Sequence, residues 1–519
     1  MEQSQIPLYK RVSFWERILI TYIVMTGAFM AILDTTIVDI IVPKLMAPLK
    51  TDLYGVQWVI TAYMIASATG LILSDWLDKK FGLKNIYIAG IVLFTFASFM
   101  CGQSESLEEM ILFRVLQGVG EAFIMVTAQT ILFSVYPPEQ KGLAMGIFGL
   151  GVSFAPALGP TLGGYITEYI NWRWVFYINI PFGILTTILA IFYLPKSKIF
   201  EKPKLNFISF FFLSMFTVTL LIILSKGQQL GWFYSETIIY LTIVCVFSLL
   251  FYALSEILSK EPLLDYSIFL NKDYLTGFLL FFLLLGFSLY QLFYLLPLYY
   301  EQLKGLSTLD AGIHILALAI FIAIFSPIAG ILSDKIGEKY VLYISVAIYL
   351  FSSLYLLPKF NYYTPSTQAA IMTIPLGIAM GMFFAPTTTM ALRNLNEELA
   401  TLGTGLMHYA RFVGGSFGTA IATNELLKNQ AEHFDGIVGQ QNISYVAMFL
   451  EKLKSFAQNF IPENLVELKM KALLYYVQSL HSYSYSFQDT FFIAGIFGII
   501  GSIPIIIYLL ADIKRGLKL

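Results

Sequence analysis

Long apolar runs separated by short polar breaks dominate the chain, and each run approaches the length a helix needs to cross a bilayer, about 20 residues for a hydrocarbon core about 30 Å thick. They recur near 17–46, 55–74, 85–103, 108–136, 142–168, 175–194, 207–226, 237–256, 275–300, 309–333, 341–358, 366–393, 400–427 and 487–510. The pattern predicts an all-α polytopic membrane protein with fourteen transmembrane helices. A basic start (Lys10, Arg11, Arg17) precedes the first run in the manner of a signal peptide, but the run carries Asp34 and no small-residue cleavage site, so it reads as a retained span. With the N-terminus inside, the breaks on one side collect Lys79, Lys80, Lys84, Lys141, Lys196, Lys198, Lys202, Lys204, Lys260, Lys272, Lys335, Lys339, Lys514, Arg515 and Lys518. The short opposite breaks hold only Lys50, Arg173, Lys304 and Lys359. Positive-inside bias therefore predicts cytoplasmic N- and C-termini.

Two polar stretches organise the chain further. The basic segment PKSKIFEKPKLN (195–206) follows six spans and predicts a divide between two halves. In 428–486, Val446, Phe449, Leu450, Leu453, Phe456 and Phe460 recur at helical spacing before Pro462 and a second helical stretch, predicting an extracytoplasmic amphipathic hairpin. It reads either as a lid packed on its own helices or the membrane interface, or as an arm that docks a partner. A repeat supports the divide: LSDWLDKKFGLK follows span 2 and GILSDKIGEK follows span 10. The expected organisation is 1–194 as one six-helix bundle, 195–274 as linkers and two inserted helices, and 275–519 as a second six-helix bundle.

Composition agrees with a chain embedded in lipid: 57% of residues are hydrophobic and 13% charged, against roughly 25% charged in soluble domains. The net charge of −1 gives no reason to expect nucleic acid. Cys101 and Cys245 both lie in apolar stretches and suggest neither a disulfide framework nor a thiolate metal site. With four His residues lacking ligand spacing, and no GxxxxGK[ST] string, neither a metal, an ATP-driven step nor a membrane enzyme is expected.

The candidate chemistry lies in the ionisable residues at membrane depth, which are costly there and usually mark an ion or substrate path. Asp34 stands in such a run. Arg114 and Glu121, seven residues apart on span 4, share a helix face about 10 Å apart along the axis. A guanidinium favours the ionised carboxylate while burial favours the acid, so the two influences oppose each other. Arg114 is equally a tie between spans, and Glu121 alternatively a packing residue. His314, His408 and Arg411 also lie within apolar helices, and serve either as relay and substrate contacts or as helix–helix hydrogen bonds. Gln117, Tyr290, Gln291 and Tyr294 are candidates to line an adaptable cavity with them.

The motifs resemble those of the fourteen-span drug:proton antiporters of the major facilitator superfamily, the EmrB/QacA-like exporters. LDTTIVDIIVP (33–43) resembles the family string LDxTIxNxAxP, with Asp34 on its carboxylate and Asp39 where the family usually has Asn. Asp39 reads either as a second protonation site or as a residue at the outer mouth. LFRVLQGVGEAF (112–123) resembles the span 4 signature, and NWRWVFYINIPFG (171–183) is very similar to WRWIFxINxPxG. GIFGLGVSFAPALGPTLGGYI resembles the antiporter signature through Gly151, Pro156, Gly159, Pro160, Gly163 and Gly164. The glycines predict close helix contact and the prolines a bend, while the association with export comes from the resemblance alone. In the loop motif, the expected conformational gate, Asp334, Lys335 and Gly337 match well; in the first copy the gate candidates are Asp75, Asp78, Lys79 and Gly82, of which Asp75 and Lys79 depart from the pattern and Asp78 is available to replace the missing charge.

The resemblance implies a major facilitator fold and a proton-driven antiporter in the bacterial cytoplasmic (inner) membrane, exporting lipophilic, cationic compounds without a cofactor. The alternative is export of one metabolite or fatty acid. Asp34, Glu121, Arg114 and Asp39 would couple protons. A periplasmic adaptor and an outer-membrane channel are the partners that such relatives employ, beside the bilayer and the substrates.

Overall fold

The computed structural model describes residues 7–196, 204–439, 444–457 and 463–516; side chains at a few positions within those ranges, Asp39 and Pro160 among them, lie outside the description. Among the described residues there is helix and loop but no strand, as backbone groups in lipid must bond within their own segment. The long helices are α1 (Phe14–Leu45), α2 (Trp58–Phe81), α3 (Leu83–Gln103), α4 (Leu107–Val135), α5 (Lys141–Tyr169), α6 (Asn179–Tyr193), α7 (Phe207–Leu230) and α8 (Glu236–Leu258). After them come α9, a run over Lys272–Leu303 with π-helical turns, then α10 (Thr308–Ile336), α11 (Glu338–Phe351), α12 (Ile374–Arg393), α13 (Glu397–Gly439) and α14 (Glu463–Gly516).

Twelve described helices are long and apolar enough to cross a membrane, or up to thirteen when the two parts of α5, bent by 43° between Pro156 and Thr161, count as one span. Helix α13 falls short of that apolar standard because glycines, threonines, His408 and Arg411 dilute its hydrophobic residues, yet most of its first half is buried. Sequence patterning counts 400–427 among the apolar runs and so as a span.

Helices α1 to α6 pack on one another, chiefly α1 on α5, α2 on α4 and α3 on α4, while α10, α11 and α12 form one packed group and α9, α13 and α14 another. The first six meet the rest along two seams, α5 against α10 and α12, and α2 against α13. The α5–α10 seam is tight because small residues face each other: a Cβ added at Gly146 would stand 2.7 Å from the Ser326 carbonyl oxygen. Ser326 in turn donates its hydroxyl to the Gly146 carbonyl at 2.8 Å.

Helices α7 and α8 pair with each other, and α7 lies across the α2–α13 seam. Near its C-terminus Lys226 donates to the Tyr54 carbonyl at 3.1 Å and to Gln57 Oε1 at 2.9 Å, and Ser225 shares a 3.0 Å hydrogen bond with Thr61. At mid-length Thr217 shares a 2.7 Å hydrogen bond with the Tyr409 hydroxyl of α13.

At about 1.5 Å per residue, α13 and α14 run well beyond a hydrocarbon core. Their extensions pack together: His433 Nε2 lies 2.6 Å from Asp489 Oδ2, and the Ser486 hydroxyl donates to the Leu426 carbonyl at 2.5 Å. Between them Ser444–Ala457 is helical. Of the hairpin's predicted apolar stripe, the side chains of Val446, Phe449, Leu450 and Phe460 lie outside the described residues, while Phe456 is exposed.

Candidate functional site

Asp34 lies in the interior of α1 and is buried, where side chains of α4 and α6 reach it. Its Oδ2 accepts from Arg114 Nη1 at 2.6 Å, and its Oδ1 accepts from Gln117 Nε2 at 2.9 Å and from Asn179 Nδ2 at 2.8 Å. The spacing of Arg114 and Gln117, one turn apart on α4, lets both reach the same carboxylate, and Arg114 also donates to the Gln117 amide oxygen at 2.9 Å. Asn179 opens α6 and donates also to the Ser98 hydroxyl of α3 at 3.0 Å. Arg114 Nε bonds the Val59 carbonyl of α2 at 3.1 Å, and its guanidinium lies 3.9 Å over the Tyr63 ring. Both carboxylate oxygens are thus engaged by a cation and two amides. A buried pair of this kind is costly to form, and removing one partner strands the other charge. A proton on Asp34 would neutralise the carboxylate and leave the Arg114 charge to the Gln117 amide oxygen, the Val59 carbonyl and the Tyr63 ring.

Glu121 does not join this ring, although its spacing puts it on the Arg114 face. Its neighbours include Ser67, Tyr63 and Arg411, and its Oε2 is buried with no hydrogen-bond partner. Across the seam, His408 Nε2 meets Gln129 Oε1 at 2.6 Å, joining α13 to α4, and the imidazole packs near Phe148 of α5. His314 belongs elsewhere: its Nδ1 bonds the Asp310 carbonyl of its own helix at 2.8 Å, with its ring beside Tyr300. On α9, Gln291 is buried with Oε1 unpartnered, and Tyr290 and Tyr294 are half-buried. Among the described residues, no group of three or more His, Cys, Asp or Glu side chains is placed to hold a metal ion.

The two loop repeats build the same turn and grip the opposite group of helices. Gly82 (φ 80°) and Gly337 (φ 99°) each cap a helix in a backbone region that disfavours side chains, their N–H groups bonding Asp78 and Ser333 carbonyls. Asp334 Oδ1 and Oδ2 accept the Gly142 and Leu143 N–H groups, both at 2.8 Å, and so cap the N-terminus of α5 from α10. Arg393 of α12 pairs with Glu338 and donates to the Pro138 carbonyl at 3.2 Å. In the first copy, Asp75 is held by Lys79 within its own helix at 2.7 Å, and it is Asp78 that crosses the seam, accepting from Thr401 of α13 at 2.6 Å. Lys335 is exposed. This end of the molecule is therefore closed by bonds that link the two groups of helices.

The antiporter string lies where α5 passes α1 and α10. Gly151 faces Met25, Gly159 faces Thr36, Gly163 faces Ile37 and Gly164 faces Leu309 of α10. Pro156 stands at the bend; the side chains of Pro160 and of Asp39 on α1 lie outside the described residues. Sequence reasoning missed Asn179, Ser98, Tyr63 and Gln129 as members of these networks. The available signal was a polar side chain inside an apolar span.

The family model of the Major Facilitator Superfamily matches residues 24–419, and the chain belongs to that family of membrane transporters. It is 29% identical over 418 residues to the multidrug export protein EmrB of Escherichia coli strain K12, covering 80% of this chain and 81% of EmrB. The riboflavin transporter RibZ of Clostridioides difficile strain 630 is 30% identical over 437 residues, covering 82% of this chain and 93% of RibZ. Among solved structures, the proton:xylose symporter XylE superposes with a TM-score of 0.58 at 13% identity, covering 94% of each chain, which shows the shared fold. The protein is accordingly an integral membrane transporter and not an enzyme.

Proposed function

We propose that this protein is a proton-driven antiporter that exports lipophilic compounds bearing a positive group, by alternating access across the cytoplasmic membrane. The observation that carries the reading is Asp34, buried among helices with its oxygens held by Arg114, Gln117 and Asn179. A proton arriving at Asp34 competes with Arg114 and loosens the tie between α1 and α4; its departure restores the tie. Coupling follows if the latched and unlatched arrangements differ in proton affinity. The voltage across the membrane would supply about 2.3 kcal/mol per charge per 100 mV, with no cofactor. The similarity to EmrB supports export, and the basic loops support cytoplasmic termini with α13 as a further crossing, fourteen in all. The projecting α13–α14 extensions suit contact with a periplasmic adaptor serving an outer-membrane channel.

A narrower substrate range is the second reading. It is favoured by Arg411, a buried cation unsuited to a purely cationic cargo, and by the relative named for riboflavin. The test is ethidium efflux in vesicles with an imposed pH gradient, comparing wild type with Asp34→Asn and Glu121→Gln. Gradient-driven efflux lost in Asp34→Asn supports the antiporter; undiminished efflux by the double variant removes the proton-site assignment.

A further inference from the structure

Helix α2 packs against both α4 and α7, but α4 and α7 barely meet. The gap between them, floored by α2, is an apolar trough of about 420 Å³. One wall is the row Ile111, Val115 and Val119, each a turn beyond the last on one face of α4, and the other is Val218 and Ile222 of α7. Along the floor the lining runs from Trp58 to Leu73, roughly 22 Å of helix axis at about 1.5 Å per residue. That exceeds the hydrocarbon depth of one leaflet, about 15 Å. Among the described lining residues Thr69 alone carries a hydroxyl, and it donates to the Ile65 carbonyl of its own helix at 2.8 Å. The walls between the ends are therefore hydrocarbon.

One end carries a charge. Lys226 continues the Val218 and Ile222 row by a further turn, close to the end of α7 at Leu230, and is 5% exposed. Its ammonium lies 5.8 Å from the ring of Trp58, where the trough begins. It donates only to neutral oxygens: the Tyr54 carbonyl at 3.1 Å, Gln57 Oε1 at 2.9 Å and Gln229 Oε1 at 3.2 Å. The carboxylate nearest to Tyr54 in sequence, Asp52, has its Oδ1 on the Gly55 N–H at 2.7 Å. Among the described residues no carboxylate forms an ion pair with Lys226, so its charge is solvated by dipoles and not neutralised. Tyr54 and Tyr234, both exposed, stand at this same end, and such aromatic side chains mark the headgroup level of a bilayer.

We propose that the trough seats one acyl chain of an anionic phospholipid whose phosphate lies against Lys226, taking over the donor now given to Gln229. An acyl chain gains no hydrophobic energy on moving from the bilayer to an apolar helix face, so the headgroup supplies the selection and the trough supplies the place. A cationic molecule would be repelled by Lys226, and a neutral hydrocarbon would leave its charge unanswered. Basic positions between membrane helices suit anionic headgroups for this reason. The inference is independent of the direction and driving force of transport.

The test is photolabelling of the full chain in phosphatidylcholine vesicles that carry a phosphatidylglycerol with a diazirine on one acyl chain, with the labelled residues mapped by mass spectrometry. In wild type the label concentrates on Val115, Val119, Val218 and Ile222, over exposed Phe96 and Phe99 of α3. Added unlabelled phosphatidylglycerol suppresses it, and the same addition of phosphatidylcholine does not. Lys226→Gln lowers trough labelling about fivefold, the preference that one basic residue confers for an anionic lipid, while Lys226→Arg retains it. Val119→Trp fills the trough and removes the label there, leaving that on Phe96 and Phe99 unchanged. Label spread evenly over the trough and α3 would reveal ordinary boundary lipid and overturn the proposal, as would undiminished labelling in Lys226→Gln. Ethidium monoazide marking the trough while the lipid label falls elsewhere would give the trough to exported compounds and equally overturn it.

Discussion

Asp334→Ala tests whether the loop end is held closed by a helix cap supplied from across the seam. The substitution removes both acceptors of the Gly142 and Leu143 N–H groups, each at 2.8 Å. Hydrogen bonds to a charged acceptor contribute about 1.5–3 kcal/mol apiece, so the gross loss is roughly 3–6 kcal/mol. The freed N–H groups of an opened α5 terminus regain water, and the 3.9 Å contact with the partly exposed Arg393 adds little. A net effect of about 2 kcal/mol remains, which lowers the closed-to-open ratio about 30-fold. Spin labels at Phe81→Cys and Ile336→Cys, both exposed beside the two glycine turns, read this out by pulsed electron resonance in a background lacking Cys101 and Cys245. The expected result is a longer distance population that grows in Asp334→Ala. An unchanged distance distribution would show that the cap contributes nothing to closure.

Three further outcomes are expected. Thr401→Val removes the donor to Asp78 and shifts the same distances in the same direction by a smaller step, about 1 kcal/mol; a larger shift than that of Asp334→Ala would reverse the ranking of the two latches. Asn179→Ala breaks the bonds to Asp34 and Ser98 and lowers thermal stability by about 1–3 kcal/mol, with proton-coupled flux impaired; wild-type melting behaviour would mean that Asn179 is a bystander. Gly146→Leu forces a side chain into the α5–α10 seam where a Cβ already stands 2.7 Å from the Ser326 oxygen, at a cost of about 1–3 kcal/mol; normal stability and flux would show the contact to be loose.

Asp34, Arg114 and the paired glycine turns were legible because each breaks a strong local rule: a charge inside an apolar run, or a Gly-centred polar break repeated in both halves. Which polar side chains meet was not legible, because it depends on how each helix is rotated about its axis. Helical spacing aligned Arg114 with Glu121, yet α1 brings Asp34 closer to the guanidinium and leaves Glu121 to the neighbourhood of Ser67 and Arg411. Gln117, expected beside cargo, is spent on Asp34 for the same reason. Asn179 sits inside the string most similar to the antiporter family, and only the contact with α1 reveals that it is a member of the charge network. His408 resembled a local helix–helix bond, and so it is, but between the two groups of helices.

The seat of α7 across the α2–α13 seam has a mechanical meaning. A strap fastened to α2 through Ser225, to the turn just before α2 through Lys226, and to α13 through Thr217, turns any separation of those helices into work done on the strap. Either Thr217 releases Tyr409 on every stroke, or α7 and α8 travel with one side and shear along the other. Under the alternating-access reading, α7 and α8 would set a travel limit for the cycle, although among the described residues no hydrogen bond joins them to Asp34, Arg114, Gln117 or Asn179.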